Sequence, residues 1–529
     1  MFGFLNALVL LVPGLVYLLG GNLLSPFVKS AGVGAKTIEV QAKGYGLQIV
    51  LALQEKPLAC FLSPLYAAIV LRWQCDLPMI WVLLLSLAYP IFALSTIALL
   101  FFHSQEYGEA SSGITSEIKA KQEELLVFKD KEFKAKWLGK KIPVETAIEA
   151  YQEQKIDFKG PTGKDDIMHT MMSRYEIFKF SVTRENIMSI FEDLLRRVYK
   201  HDADADKADV SDVYNRGNDF YGWFLCDKML YSVGLWSSSA PENFDNNKKM
   251  NELMSEAQTK KLDKICNELC MMKPGMKHLD LGCGWGALIL HATGKYKVES
   301  TGITLSQEQA NHIASIDTDK RTDVKVINAW VWLEEKIKEG TKYDVITCLE
   351  MSEHIGVRDY QKFCHAVRSV LKDDGVFYLQ IAGLRRNWQY EDLLWGLFMN
   401  RYVFPGADAS CPLYWDVEQV ERAGFEVRSI ANEGVHYGLT IYAWYKNWLH
   451  NKAKVVAKYG EKSWRNWAIF LTWSYLIAMQ GSSTVYMIAL TKNFANDVRS
   501  RKALSKDPIA DFGINRAKLV VDKVRDSPK

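Results

Sequence analysis

Residues 276 to 293 read MKHLDLGCGWGALILHAT. A short apolar run ends at Asp280. Gly282, Gly284 and Gly286 then follow as G-x-G-x-G ahead of a helix-prone segment. Glycines at such a strand-to-helix turn let the backbone reverse sharply and approach a ligand closely. The third glycine falls one residue early for the G-x-G-x-x-G fingerprint of dinucleotide-binding loops, so the spacing points away from that ligand.

Downstream, VESTGIT (298 to 304), VKVIN (324 to 328), YDVITC (343 to 348) and VFYLQIA (376 to 382) alternate with helix-prone stretches. That alternation predicts an α/β, Rossmann-like fold with a doubly wound, mostly parallel sheet. Ligands on such sheets bind at the carboxyl ends of strands, where Gly282, Thr304, Trp330, Glu353 and Gln380 all fall. The combination points to an S-adenosylmethionine-dependent methyltransferase.

The 529 residues leave room for more than this one unit. With 65 Lys plus Arg against 62 Asp plus Glu, the near-balanced charge argues against a nucleic-acid partner. The nine cysteines form no CxxC pair and no histidine stands beside them at zinc spacing, so no metal is expected. The chain also lacks an Asn-x-Ser/Thr sequon, and both features suit a catalytic body in the reducing cytosol.

Apolar residues concentrate at the N-terminus, in segments 2–24, 58–72 and 78–102. The third carries no charged side chain and is long enough to cross a hydrocarbon core of about 30 Å as a helix. With the shorter run ending at Arg72 it reads as a transmembrane helical hairpin; residues 2–24 read as an anchor or re-entrant segment. Lysines 29, 36, 43 and 56 precede the hairpin and eight more lie between Lys119 and Lys141, so both flanks prefer the cytosol. The expectation is a multi-pass protein of the endoplasmic reticulum membrane with a cytosolic catalytic domain. Its regions are a membrane anchor (1–104), a helical linker and extension (105–210), the methyltransferase domain (211–495) and a polar tail (496–529). Residues 467–490 are apolar too, but Gln480 to Thr484 interrupt them and they read as core.

Several motifs now carry a resemblance. LDLGCGWG, GITLSQEQ (302 to 309), EHIG (353 to 356), FPG (404 to 406) and YNRGNDFY (214 to 221) together resemble the cyclopropane-fatty-acid and mycolic-acid synthase family over about 210 to 495. Within it, QIAGLRRNWQYEDLLWGLFMNRYVFPGADAS (380 to 410) and GVHY (434 to 437) are similar to the sphingolipid C9-methyltransferases, which also carry an N-terminal membrane hairpin. The resemblance implies S-adenosyl-L-methionine as methyl donor, a ceramide-type membrane lipid as substrate and the bilayer as partner. It implies a cofactor site that collects Tyr231 and Ser232, then Leu279, Asp280, Leu281, Gly282, Cys283, Gly284, Trp285 and Gly286. Thr304, Leu305, Ser306, Gln307, Glu308 and Gln309 follow, with Trp330 against the adenine.

The expected reaction is attack of an alkene on the sulfonium methyl, leaving a carbocation on the lipid. Glu353 is placed to stabilise that charge, with cation–π help from Tyr231, Tyr437 and Trp285. The cyclopropane enzymes hold a bicarbonate base with a Cys, a Glu, a His, an Ile and a Tyr. The matching positions here are Val233, Glu353, Gln380, Ala382 and Tyr437. Val neither donates nor accepts a proton and Gln does not titrate, so the bicarbonate and ring closure are not expected. Losing the proton from the carbon that received the methyl instead restores the double bond and leaves a branch. That outcome is C9 methylation of a Δ8-unsaturated sphingoid base in ceramide or glucosylceramide. The catalytic set is Glu353, Tyr437 and Gln380, with Tyr437, Glu353 or a bound water as the base. His436 reads as structural. The alternative is a cyclopropane or methyl-branching synthase acting on unsaturated phospholipid acyl chains.

Overall fold

The run KHLDL forms β1 (Lys277–Leu281), buried along four of its five residues. It pairs in parallel with β2 (Glu299–Thr304) on one side and β4 (Tyr343–Leu349) on the other. A strand covered on both faces carries a near-continuous apolar run; in β1 Asp280 is one buried polar exception and His278 the other. Its ring nitrogens meet Ser300 Oγ at 3.0 Å and Thr347 Oγ1 at 2.8 Å, and burial lowers its pKa to about 3. A neutral imidazole thus pins three central strands together.

The computed structural model describes residues 115–160, 166–183, 186, 217–237, 243–357, 359–387, 389–404 and 411–493. The expected membrane segments 2–24, 58–72 and 78–102 and the tail from 496 lie outside the described residues. Among the described residues, no helix is long and apolar enough to cross a membrane.

Two more strands extend the parallel ladder: β3 (Thr322–Val326) beside β2, and β5 (Leu371–Leu384) beside β4. Then β6 (Phe425–Asn432) and β7 (Ser483–Lys492) complete the sheet, with β7 antiparallel to both β5 and β6. The order is β6-β7-β5-β4-β1-β2-β3. Alternate side chains face opposite layers, as a period of two demands. Leu279, Leu281, Ile346, Phe377 and Leu379 pack under helices α4 (Ala329–Glu339), α5 (Tyr360–Val370) and α7 (Leu413–Arg422). Val345, Val376, Tyr378 and Met487 pack under α1 (Asn247–Asp263) and α2 (Ala287–Tyr296). In α5 the buried residues are Tyr360, Phe363, Cys364, Val367 and Val370, spaced as one face of a helix requires.

A third, aromatic-rich layer covers one end of the sheet. It joins α8 (Gly434–His450), the long α9 (Lys452–Met479), kinked at Gly460, and the described part of 115–183 in one hydrophobic cluster. The stretch that reads as a polar linker therefore folds, in its described residues, into short helices and strands packed on α9 and on α6 (Tyr390–Tyr402). Residues 467–490 form the buried end of α9 followed by β7, the core helix and strand expected. Across this layer Arg174, 3% exposed, pairs with Glu391, 4% exposed, at 2.5 Å, and Trp473 Nε1 donates to the same carboxylate at 2.9 Å. Removing one partner of a buried pair leaves the other charge uncompensated. Glu391→Gln is therefore expected to cost about 3–5 kcal/mol of stability, read from urea unfolding, while Arg174→Met/Glu391→Met recovers much of it.

Candidate active site

The turn after β1 is set by backbone hydrogen bonds: the N–H groups of Gly282 and Cys283 both donate to Ile303 O, at 3.0 and 2.9 Å. Gly282 has φ +80°, and a Cβ there would lie 2.6 Å from the Cβ of Met351. Gly286, with φ +86°, would collide with Ile313 at 2.7 Å. Each glycine is thus required twice, by its dihedral angle and by its neighbour. The N-cap of α3 (Gln307–Ile316) is Ser306, whose hydroxyl accepts from Gln309 N–H, and that of α4 is Asn328.

Above these turns a cavity runs over the carboxyl ends of β4, β1, β2 and β3. Twelve of the seventeen predicted cofactor residues line it: Tyr231, Ser232, Asp280, Gly282, Cys283, Gly284, Trp285, Thr304, Leu305, Ser306, Gln309 and Trp330. The other five do not. Leu279 and Leu281 are fully buried in the sheet core, Gly286 caps α2, and Gln307 and Glu308 are exposed on α3. Glu350, Met351, His354, Asn328 and Phe363 line the cavity without having been singled out from sequence.

The lining suits an extended adenosyl amino acid. At the β3 end, Trp330 stands edge-on to Phe363, ring centroids 6.0 Å apart, as an aromatic wall for a base. In the middle, Thr304 Oγ1 donates to Gln309 Oε1 at 2.6 Å, which turns the Gln309 amide N–H groups toward other acceptors such as ribose hydroxyls. At the β4 end the lining turns acidic, with Glu350 beside Ser232.

There a polar network closes on itself. Ser232 Oγ donates to Glu350 Oε1 at 2.9 Å and accepts from Lys261 Nζ at 2.9 Å and from Gln380 Nε2 at 2.6 Å. The second Gln380 amide hydrogen goes to Glu350 Oε1 at 2.6 Å, and Gln380 Oε1 accepts from Tyr378 at 2.9 Å. Burial raises the Glu350 carboxyl and pulls the Lys261 ammonium down to about 7, against the opposing attraction between them. Gln380, wholly buried, is thereby locked behind the cavity as a positioning residue and does not line it. Lys261 had one sequence signal: it continues the buried face of α1 set by Met250, Met254, Ala257 and Gln258.

Glu353 sits in the short 3-10 turn Ser352–His354 that follows β4. It is 7% exposed; Oε1 accepts from Ala382 N–H at 2.7 Å, and Oε2 is buried without a hydrogen-bond partner. Burial first, and the Glu350 charge second, raise its pKa to about 8. Tyr437, in the first turn of α8, is half-buried against the aromatic layer and outside the cavity lining. Beside it, His436 Nδ1 accepts from Trp236 N–H at 3.0 Å, the structural role expected. Val233 is fully buried.

Sheet order, glycine turn and cavity together define an S-adenosylmethionine-dependent methyltransferase. The family model described as mycolic acid cyclopropane synthetase matches residues 201–488. A sphingolipid C9-methyltransferase of Komagataella phaffii is 44% identical over 379 residues, 70% of this chain and 74% of that one. A second, from Gibberella zeae, is 40% identical over 376 residues, 70% and 69% of the two chains. A cyclopropane synthase structure from Mycobacterium tuberculosis aligns over 54% of this chain and 98% of its own, with 24% identity and a TM-score of 0.48. The chain belongs to the mycolic acid cyclopropane synthetase family, among its sphingolipid C9-methyltransferase relatives.

Asp280, raised by burial to about 7, and Glu353, at about 8, hold protons in the folded chain where unfolded carboxyls, near 4, have lost them. Their stabilising contribution is complete below that unfolded value and is lost as pH rises through the folded values. The urea midpoint is therefore expected to fall from about pH 4 to about pH 8, and Glu353→Gln to flatten that fall. A slope unchanged in the variant would place the protons elsewhere.

Proposed function

We propose that this chain methylates C9 of the Δ8-unsaturated sphingoid base of ceramide or glucosylceramide, and that Glu353 takes the proton which restores the double bond. The observation that carries the proposal is the Glu353 carboxyl: one oxygen fixed by Ala382 N–H, the other unpartnered, in the turn that follows cavity-lining Glu350 and Met351. Two curated relatives named for that methylation, at 44% and 40% identity, support the substrate.

The cofactor, when bound, supplies an electrophilic methyl on a sulfonium. The alkene π pair of the lipid would form the new C–C bond at C9 as the methyl–sulfur bond breaks and its electron pair stays on a neutral thioether, leaving the cation on C8. The C9–H bond then gives its electron pair back to the C8–C9 bond, and the proton passes to the Glu353 carboxylate. A carboxyl held near pKa 8 accepts that proton readily once ionised. Ring closure needs a proton taken from the added methyl by another base. The position of the family's histidine holds Gln380, whose amide is already spent on Ser232, Glu350 and Tyr378. Tyr231, on the cavity wall and 5.0 Å from the Trp444 ring, offers an aromatic face to the cation.

Residues 2–24, 58–72 and 78–102 hold the catalytic body at the cytosolic face of the endoplasmic reticulum membrane, so that a two-chain lipid need not leave the bilayer. The uncharged run 78–102 and the lysines on both flanks support this reading. Cells that make Δ4,8-sphingadienine ceramide but lack a methylating enzyme are expected to gain one CH2 on the sphingoid base when they express the chain. Fragmentation is expected to place the branch at C9 with the double bond kept. Mass gained on phospholipid acyl chains instead would move the substrate to the alternative. Glu353→Gln is expected to reduce turnover by at least about a hundredfold. In the parent protein kcat/KM is expected to rise with pH toward about 8 as the base ionises.

A further inference from the structure

The cavity's charge is one-sided. Its acidic lining residues are Asp280 and Glu350, and no lysine or arginine lines it among the described residues. A slot with two carboxyls and no fixed cation suits a ligand that brings positive charge. The acids differ in position. Asp280 ends its strand beneath the glycine turn, where Thr347 donates to Oδ1 at 2.6 Å. Glu350 comes directly after β4, three residues before Glu353, and it is the cavity acid whose charge bears on Glu353.

The cavity crosses four adjacent strand ends, and three inter-strand spacings of about 4.8 Å make it about 14 Å long. With the base against Trp330 and Phe363 past β3, the sulfur of an extended cofactor falls at the β4 end. Glu350 is unusually constrained there. Its backbone has φ +51°, a left-handed conformation that a non-glycine residue adopts at a cost. Ser232 and Gln380 both donate to Oε1, and Lys261, fully buried, feeds Ser232 from behind. Three chain segments distant in sequence thus converge to hold one carboxyl group against the cavity.

We propose that Glu350 is the counter-charge for the sulfonium of S-adenosylmethionine, held in register by Ser232, Gln380 and Lys261. Methyl transfer would move the positive charge from sulfur to C8 of the lipid, beyond the methyl carbon and C9. The same carboxylate therefore attends the charge before and after transfer, and the neutral thioether product loses its hold.

The test compares two ligands that differ only by the sulfur-bound methyl and the charge it confers. Calorimetric titration of the full chain in detergent with S-adenosylmethionine and with S-adenosylhomocysteine isolates the sulfonium, because the ammonium, carboxylate and adenosine are common to both. Glu350→Gln is expected to weaken S-adenosylmethionine by at least about tenfold while S-adenosylhomocysteine changes less than about twofold. Lys261→Met is expected to narrow the same preference by a smaller factor. Equal loss for both ligands would assign Glu350 to a part they share and overturn the proposal. Unchanged affinity for both would overturn it as well. Should Glu350→Gln show no cooperative unfolding transition, Glu350→Asp and Lys261→Met carry the same comparison, and a preference retained in both overturns it.

Discussion

Four carboxyl groups leave water along or beside one edge of a single sheet: Asp280, Glu350, Glu353 and Asp416. Desolvation raises each of them, and each meets that cost differently. Asp280 has the Thr347 hydroxyl, Glu350 has two donors on one oxygen, Glu353 has a single backbone N–H, and neither Asp416 oxygen has a partner. A group so treated neutralises itself by holding its proton or waits for a cation. The graded series explains how acids close together in the chain, Glu350 and Glu353, take different parts. In the roles proposed above, the acid with two donors faces the ligand, and the one with a single backbone donor is the proton acceptor.

The aromatic layer gives these acids their dry surroundings. The Tyr221 ring lies 4.8 Å from that of Trp285, on the glycine turn, tilted 50° to it, and Trp285 Nε1 donates to Asn218 Oδ1 at 2.7 Å. Tyr231 contacts Trp444 of α8, while Phe220 and Phe224 both meet Trp467 of α9. The turn that holds the cofactor is thus bolted to the layer that shuts out water, and water excluded from an ionic site strengthens every charge interaction within it.

Much of this was legible in the residues themselves. Short apolar runs alternating with helix-prone stretches predict the parallel strands, and G-x-G-x-G the turn, because both are local statements about neighbouring residues. Twelve of the cofactor positions that the resemblance implies line the cavity. Glu350 was legible in principle, as the first residue past an apolar strand, but the Glu353 motif overshadowed it. Lys261 showed only its place on a buried helix face and nothing of its role, because its partners are assembled from afar: Ser232 is 29 residues away, and Ser232 in turn meets Glu350 118 residues on and Gln380 148 residues on. The same holds for the polar stretch before 183. Its burial depends on pairs such as Arg174 with Glu391, 217 residues apart, which no local pattern announces. Gln380 shows the converse: its position was found by resemblance, but its task, holding another acid, only by geometry.

One topological feature bears on how the protein is made. β7 lies between β5 and β6, bonded to both, yet it is the last of the seven strands along the chain. As the chain emerges from the ribosome, the edge of β5 beside Gln380 and Ala382 stays unpaired until Ser483 arrives. Those hundred or so residues take about 5–20 s at ordinary elongation rates. During that interval the strand that positions Glu353 and Gln380 has an open, strongly apolar border, the kind of edge that pairs with the wrong chain. Sheet closure is therefore a late event of synthesis, and a nascent chain stalled before β7 has the residues of the glycine turn but an unpaired border along β5.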